Sequence, residues 1–232
     1  MNPFTDIVSL GYRCRVARRL RDHYGTAIAY PFDWWITPIE GAVRFLHDWD
    51  VDALYRTDRL ALTWRWGFKS YVRNRDYGIT LAHEFPLDTA ERVRPGWRAL
   101  TANPKSRTTA LMKRFRLLNR PSRRVLFVRD LAPGEERIEA CTALREAVMA
   151  RAAPPQATFL LISRNGFEAP GWLSLRIDDR SVDWQGDPAL WDPALASLGF
   201  KLKKPADEAG LHAYRKAMKR AKRAEPAAES TG

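Results

Sequence analysis

"RRVLFVRDLAPGEERIEACTALREAVMARAAPPQATFLLIS", residues Arg123–Ser163, is the stretch that decides the fold. Arg123–Asp130 is a short apolar run flanked by charge, which predicts a central buried strand ending in a loop. Residues 135–151 carry Ala140, Leu144, Ala147 and Val148 at helical spacing, with acids early and Arg late, as the helix dipole favours. Ala157–Ser163 predicts a second strand and Gly171–Asp178 a third. These strands read as nearly continuous apolar runs, the pattern of strands covered on both faces. Strand, helix, strand, loop and strand in this order imply a mostly parallel sheet flanked by helices.

Upstream, residues 6–10 predict another short strand, followed by a helix from Cys14 to Tyr24 with Gly25 as its stop. Val16, Ala17 and Leu20 make the apolar side of this helix, and Arg residues occupy its other faces. An aromatic-rich loop punctuated by Pro31 and Pro38 leads into a helix from Pro38 to Trp49. Between Asp58 and Phe85, "ALTWRWGF" and "YGITLAHEF" read as an antiparallel strand pair joined by a polar loop. Thr108–Asn119 predicts an amphipathic helix, and "WQGDPALWDPALASLGF" carries one more. The expected fold class is therefore α/β: a mostly parallel central sheet flanked by helices, with an antiparallel pair in the middle region. One domain is expected over 1–200, followed by a basic helical or disordered tail over 201–232.

Composition agrees with a folded core: 45% of the 232 residues are apolar and nine are Trp. The net charge of +12 draws disproportionately on the tail, where nine Lys or Arg oppose four Asp or Glu. The remaining Arg residues are scattered as on a solvated surface, and no RNP motif, zinc-finger spacing or G-x-x-G clamp accompanies them. A nucleic-acid partner would have to act through the tail. The first residues lack a signal-peptide pattern, and no apolar run approaches the ~20 residues that span a bilayer. The two cysteines, Cys14 and Cys141, are far apart in sequence. A cytoplasmic protein with reduced thiols is the expectation. Phosphate-loop, dinucleotide, H-E-x-x-H, C-x-x-C and G-x-S-x-G motifs are all missing, so no cofactor and no metal is expected.

Cys14 stands where a strand gives way to a helix. A buried thiol there is either packing or a nucleophile whose thiolate the helix N-terminus and Arg13 or Arg15 would favour. Cys141 borders the apolar stripe of its helix and reads as structural. Among the four histidines, His23 and His47 lie near helix ends and His212 lies in the tail. His83, expected inside a strand, is the candidate base, and its neighbour Glu84 is a poor orienter because adjacent strand residues point to opposite faces. Asp33, set among Phe32, Trp34 and Trp35, must find donors if it is buried. It is either a loop anchor or an orienting group in the cleft above Cys14.

"VSLGYRCRVARRLR", "YPFDWWITP", "GITLAHEF" and "RVLFVRD" follow one another in this chain. In that order they resemble a bacterial family described as papain-like cysteine peptidases, otherwise a domain of unknown function. The resemblance spans about Ile7 to Asp192 and rests on S-L-G-x-x-C together with P-F-D-W. It implies a Cys–His enzyme with Cys14 as nucleophile and His83 as base. Arg13 stands where the family commonly has Asn. Asp33, Asp130 and Asn165 remain alternatives for the third member, and Gly11, Arg13 and Trp34 would line the oxyanion and substrate loops. The layout also resembles the Rossmann-like esterases whose nucleophile follows the first strand. The expected activity is a thiol-dependent hydrolase acting on a peptide, acyl or glycan-linked substrate. The alternatives are an esterase or acyltransferase relative, or a non-catalytic module whose Trp side chains hold a carbohydrate or peptide.

Overall fold

The computed structural model describes residues 2–65, 69–181 and 183–203. In chain order its elements are β1 (Asp6–Ser9), α1 (Cys14–Tyr24), α2 (Ile39–Asp48), α3 (Val51–Leu54), β2 (Leu60–Arg65), β3 (Lys69–Asn74) and β4 (Thr80–Leu81). They continue with α4 (Ala102–Arg116), β5 (Arg124–Asp130), α5 (Ile138–Ala152), β6 (Gln156–Ser163), β7 (Leu173–Arg176) and α6 (Pro188–Ser197).

β1, β5, β6 and β7 pair in that order, all parallel. Successive strand side chains point to opposite faces, so each apolar run fills two cores at once. Val8, Val125, Phe127, Phe159 and Leu161 join the core beneath α2, α4 and α5. Ile7, Leu126, Val128, Leu160 and Ile162 join a second core with Val16 and Leu20 of α1 and Trp191 and Leu195 of α6. The molecule is thus the three-layer α/β arrangement that the continuous apolar strands imply.

The second sheet is antiparallel, ordered β2-β3-β4, and it departs from the expected strand pair. "KSYVRN", read as polar loop, is its central strand, and the "YGITLAHEF" strand shrinks to Thr80–Leu81. The inward residues of β3 include Ser70 and Asn74, whose polarity hides the alternation. Both are satisfied: Ser70 Oγ accepts from Val93 N (2.7 Å), and Asn74 Nδ2 donates to the carbonyls of Ala53 and Leu54. His83 therefore lies in a turn just past β4 rather than within a strand.

α4 begins six residues before the expected Thr108, with Pro104 inside its first turn. Pro is tolerated there because the first N–H groups of a helix have no intrahelical acceptor. The compact unit runs Met1–Leu202. The expected basic tail, with His212, lies outside the described residues from position 204 onward.

Candidate active site

The connections leaving β1 and β5 diverge. α1 packs Val16 and Leu20 on one face of the sheet, and α5 packs Leu144 and Ala147 on the other. A gap between adjacent strands whose connections part in this way is where open α/β sheets take their ligands. Gly11, Arg13 and Cys14 leave β1 into this gap, and Asp130 closes β5 beside them. Tyr12 N donates to the Asp130 carbonyl (3.2 Å), and Asp130 N donates to the Gly11 carbonyl (3.1 Å). Gly11 has φ +87, and a Cβ there would lie 3.0 Å from Arg129 Nη1, so conformation and space both call for glycine.

Cys14 is the first residue of α1 and is buried. Arg13 at the N-cap is extended, its side chain makes no cap hydrogen bond, and the first turn holds no acidic residue. The positive end of the helix dipole therefore acts on the Cys14 position without a carboxylate of that turn to offset it. The Arg13 guanidinium stacks 5.0 Å from the Tyr12 ring centroid and donates to the Tyr12 hydroxyl. Neither cysteine is in a disulfide among the described residues. Cys141 is fully buried in α5, and burial pushes its thiol up to about 11, in keeping with a packing role.

The charges around the crevice are nearly all buried and paired. Arg15, expected on a solvated face, is 5% exposed. Its Nε and Nη2 reach Asp130 Oδ2 at 3.0 and 2.9 Å, and its Nη1 lies 3.6 Å from Asp179 Oδ2. Burial raises the Asp130 carboxyl above the usual range despite Arg15. Asp179 is also buried, but hydrogen bonds from Ser181 and the Trp191 indole hold it down to about 2. Arg129, fully enclosed within β5, donates to the Leu10 carbonyl (2.8 Å) and to Glu135 Oε2 (2.6 Å). Glu135 also accepts from Ala132 N and from Ile39 N at the start of α2. This chain of bonds ties the loop before Cys14 to the opposite face of the sheet.

Backbone lacing brings the aromatic loop alongside. Thr37 N donates to the Tyr12 carbonyl (2.9 Å), and Ile36 and Thr80 exchange both of their backbone hydrogen bonds (2.9 Å each). Trp34 and His83 consequently meet, their rings 5.7 Å apart and edge to face. The ring of Trp184, from the segment between β7 and α6, also lies 5.6 Å from the imidazole. Arg21 of α1 stacks 4.8 Å from Trp34 and pairs with Asp33 (2.5 Å).

His83 is exposed as a residue, yet loss of water around its ring, then the Arg107 guanidinium, hold its pKa below the usual range. Its imidazole is therefore neutral at pH 7. Asp33 accepts from Tyr30 N and Arg21, and burial raises it to about 6 against the pull of Arg21. Asn165 accepts from Phe167 N. Glu84 accepts from the Trp35 indole and from Arg107. Among the described residues, no hydrogen bond joins His83 to Asp33, Asp130 or Asn165. Of the other histidines, His23 packs edge-on against Tyr24, and Asp48, next to His47, accepts from the Tyr77 hydroxyl.

Arg15 was named from the sequence only as a neighbour of the thiol, and Arg129, Glu135, Asp179 and Trp184 were not singled out. Arg129 had a legible signal, since a charge inside "VLFVRD" must find a buried partner. Asp179 and Trp184 had none, because their roles depend on a loop crossing that local pattern does not encode.

No family model, curated protein or solved structure matches the chain. Fold and site define a three-layer α/β protein with a buried cysteine as the first residue of the helix that follows β1. Among the described residues no helix is long and apolar enough to cross a membrane, and no group of three His, Cys, Asp or Glu could hold a metal ion.

Proposed function

We propose that the protein is a cysteine-dependent hydrolase of amides or esters, with Cys14 as nucleophile and His83 as general base. The observation that carries this reading is the placement of Cys14 as the first residue of α1, in the crevice where the β1 and β5 connections diverge. A neutral His83 takes the thiol proton, and Cys14 Sγ bonds to the substrate carbonyl carbon. The backbone N–H of Cys14, with one from the Gly11–Arg13 loop, holds the oxyanion. Collapse of the adduct breaks the bond to the amine or alcohol, which leaves with the proton from His83. Water then attacks the thioester, giving its proton to His83, and the thiol is restored as the acid departs. Asp130 serves this site through Arg15, and Asp33 through Arg21 and the Trp34 wall.

Intact-mass analysis after mixing with a panel of activated esters and short acyl amides tests the reading. An acyl adduct on Cys14, lost in Cys14→Ser and turning over only with His83 present, is the expected result. A panel that leaves no adduct while a ligand binds equally well to Cys14→Ser would favour the second reading. In that case the ring cluster of Trp34, His83 and Trp184 would hold a carbohydrate or peptide without turnover.

A further inference from the structure

A base that works with a cysteine needs its imidazole held in one orientation, usually by a carboxylate. The acids near this site are taken by other donors, Asp33 by Arg21 and Tyr30 N, Asp130 by Arg15. Glu84, next to His83, is bonded to Trp35 and Arg107. The rings packed against the imidazole are indoles: Trp34 from the loop before α2, Trp184 from the loop before α6.

The Trp184 loop is anchored on both flanks. Asp179 accepts from Ser181 N (2.9 Å), Asp187 N (3.2 Å) and the Trp191 indole (2.8 Å) and pairs with Arg15, the residue after Cys14. A Cβ on Gly186 (φ +73) would meet Asp179 Oδ2 at 3.0 Å and Trp191 Nε1 at 3.1 Å, so the loop folds back tightly onto its anchor. Asp183 accepts from Gln185 N and, through its carbonyl, from Gly186 N, closing a turn around Trp184. Asp187 then caps α6 through Ala189 N. A side chain on so constrained a turn is presented in a defined place, yet the Trp184 indole stays 43% exposed and fills no core.

We propose that Trp184 is a positioning residue for His83, holding the imidazole against Trp34 in place of a carboxylate orienter. Its importance to turnover rests on the Cys14–His83 reading above. The Asp179–Arg15 pair makes the arrangement a single unit, because the loop that steadies the base is fastened to the helix that carries the thiol. The charged groups around the ring are Arg107 from α4, Glu84 beside it and bonded to Arg107, Arg21 behind Trp34, and Asp183 on the Trp184 turn.

The test is the titration of His83 by NMR of its ring protons in the full chain, assigned by the signal lost in His83→Ala. Wild type, Trp184→Ala and Trp184→Phe are compared, with Cys14 alkylation rates measured alongside. Trp184 is exposed, so each variant is expected to keep the wild-type circular dichroism spectrum. In wild type His83 titrates below ~6.5. Trp184→Ala is expected to raise that midpoint by about half a unit, as water returns to the ring, and to slow Cys14 alkylation at pH 7 about tenfold. Trp184→Phe restores most of both. An unchanged His83 midpoint and ring shift in Trp184→Ala would overturn the proposal. A His83 signal that moves while Cys14 reactivity stays put supports the positioning role and counts against the Cys–His reading instead.

Discussion

The two halves of the site are held in place by different physics. In the crevice Arg15, Arg129, Asp130, Glu135 and Asp179 form buried ion pairs whose oppositely charged atoms lie 2.6–3.6 Å apart. Around His83 the contacts are rings 5.6–5.7 Å from the imidazole on partly exposed residues, and among the described residues no carboxylate is hydrogen-bonded to it. Breaking a buried ion pair leaves an uncompensated charge, whereas removing an exposed ring removes only contact area. The Cys14 end is thus framed by ion pairs, and His83, the proposed base, by ring contacts. Substitutions should separate the two: large losses of stability on the ionic side, small losses with altered chemistry on the aromatic side.

The largest effect is expected from Arg129→Met, which strands Glu135 beside the loop before Cys14. A cost of about 3–5 kcal/mol follows from an unpaired buried carboxylate, read as a lower urea midpoint. Arg129→Met combined with Glu135→Gln is expected to recover part of that loss, because the uncompensated charge is gone while the single Gln carbonyl accepts from only one of Ala132 N and Ile39 N. A double variant as unstable as the single one would show that packing, not charge, dominates there.

Gly11→Ala should cost about 1–3 kcal/mol, from a positive φ and a crowded Arg129. It should also slow Cys14 alkylation, since the loop leading to α1 must shift. If only stability changes, the loop geometry is not what prepares the thiol.

Asp179→Asn is expected to cost on the order of 1–2 kcal/mol at pH 7. Asp179 has its folded pKa lowered to about 2, so its contribution is complete above the unfolded value near ~3.8 and lost as pH falls through about 2. The deficit of the variant should therefore shrink in urea titrations taken from pH 5 down to pH 2. Asp33 has the opposite sign. Its folded pKa is raised to about 6, so its contribution is complete below ~3.8 and lost as pH rises through about 6. Asp33→Asn should flatten the stability curve between pH 4 and 7. Two slopes of the same sign would contradict the contrast between these carboxylates.

The smallest effect on stability is expected from Trp184→Ala, below ~1 kcal/mol by thermal melting, since the residue is exposed and fills no core.

What could be read from the sequence follows the same division. β5, β6 and the helix between them declare themselves because a strand buried on both faces must be apolar throughout, as Val125–Val128 and Phe159–Ile162 are. Cys14 was legible as the start of a helix after a strand. β3 was not, because Ser70 and Asn74 face inward with their hydrogen bonds supplied by distant backbone. His83 was found as a candidate but placed in a strand, since apolar neighbours in "GITLAHEF" imitate one. The partners of Arg15 and of His83 lie about 50 to 165 positions away in the chain, and no local pattern carries such a pairing.

The most direct measurement of the central claim is the alkylation rate of Cys14 against pH, followed by peptide mass spectrometry in wild type and His83→Ala. The account predicts a wild-type midpoint well below the ~8.5 of an ordinary thiol, returning toward that value when His83 is removed. An inert thiol, or a midpoint that ignores residue 83, would contradict it and leave Cys14 as a packing residue at the start of α1.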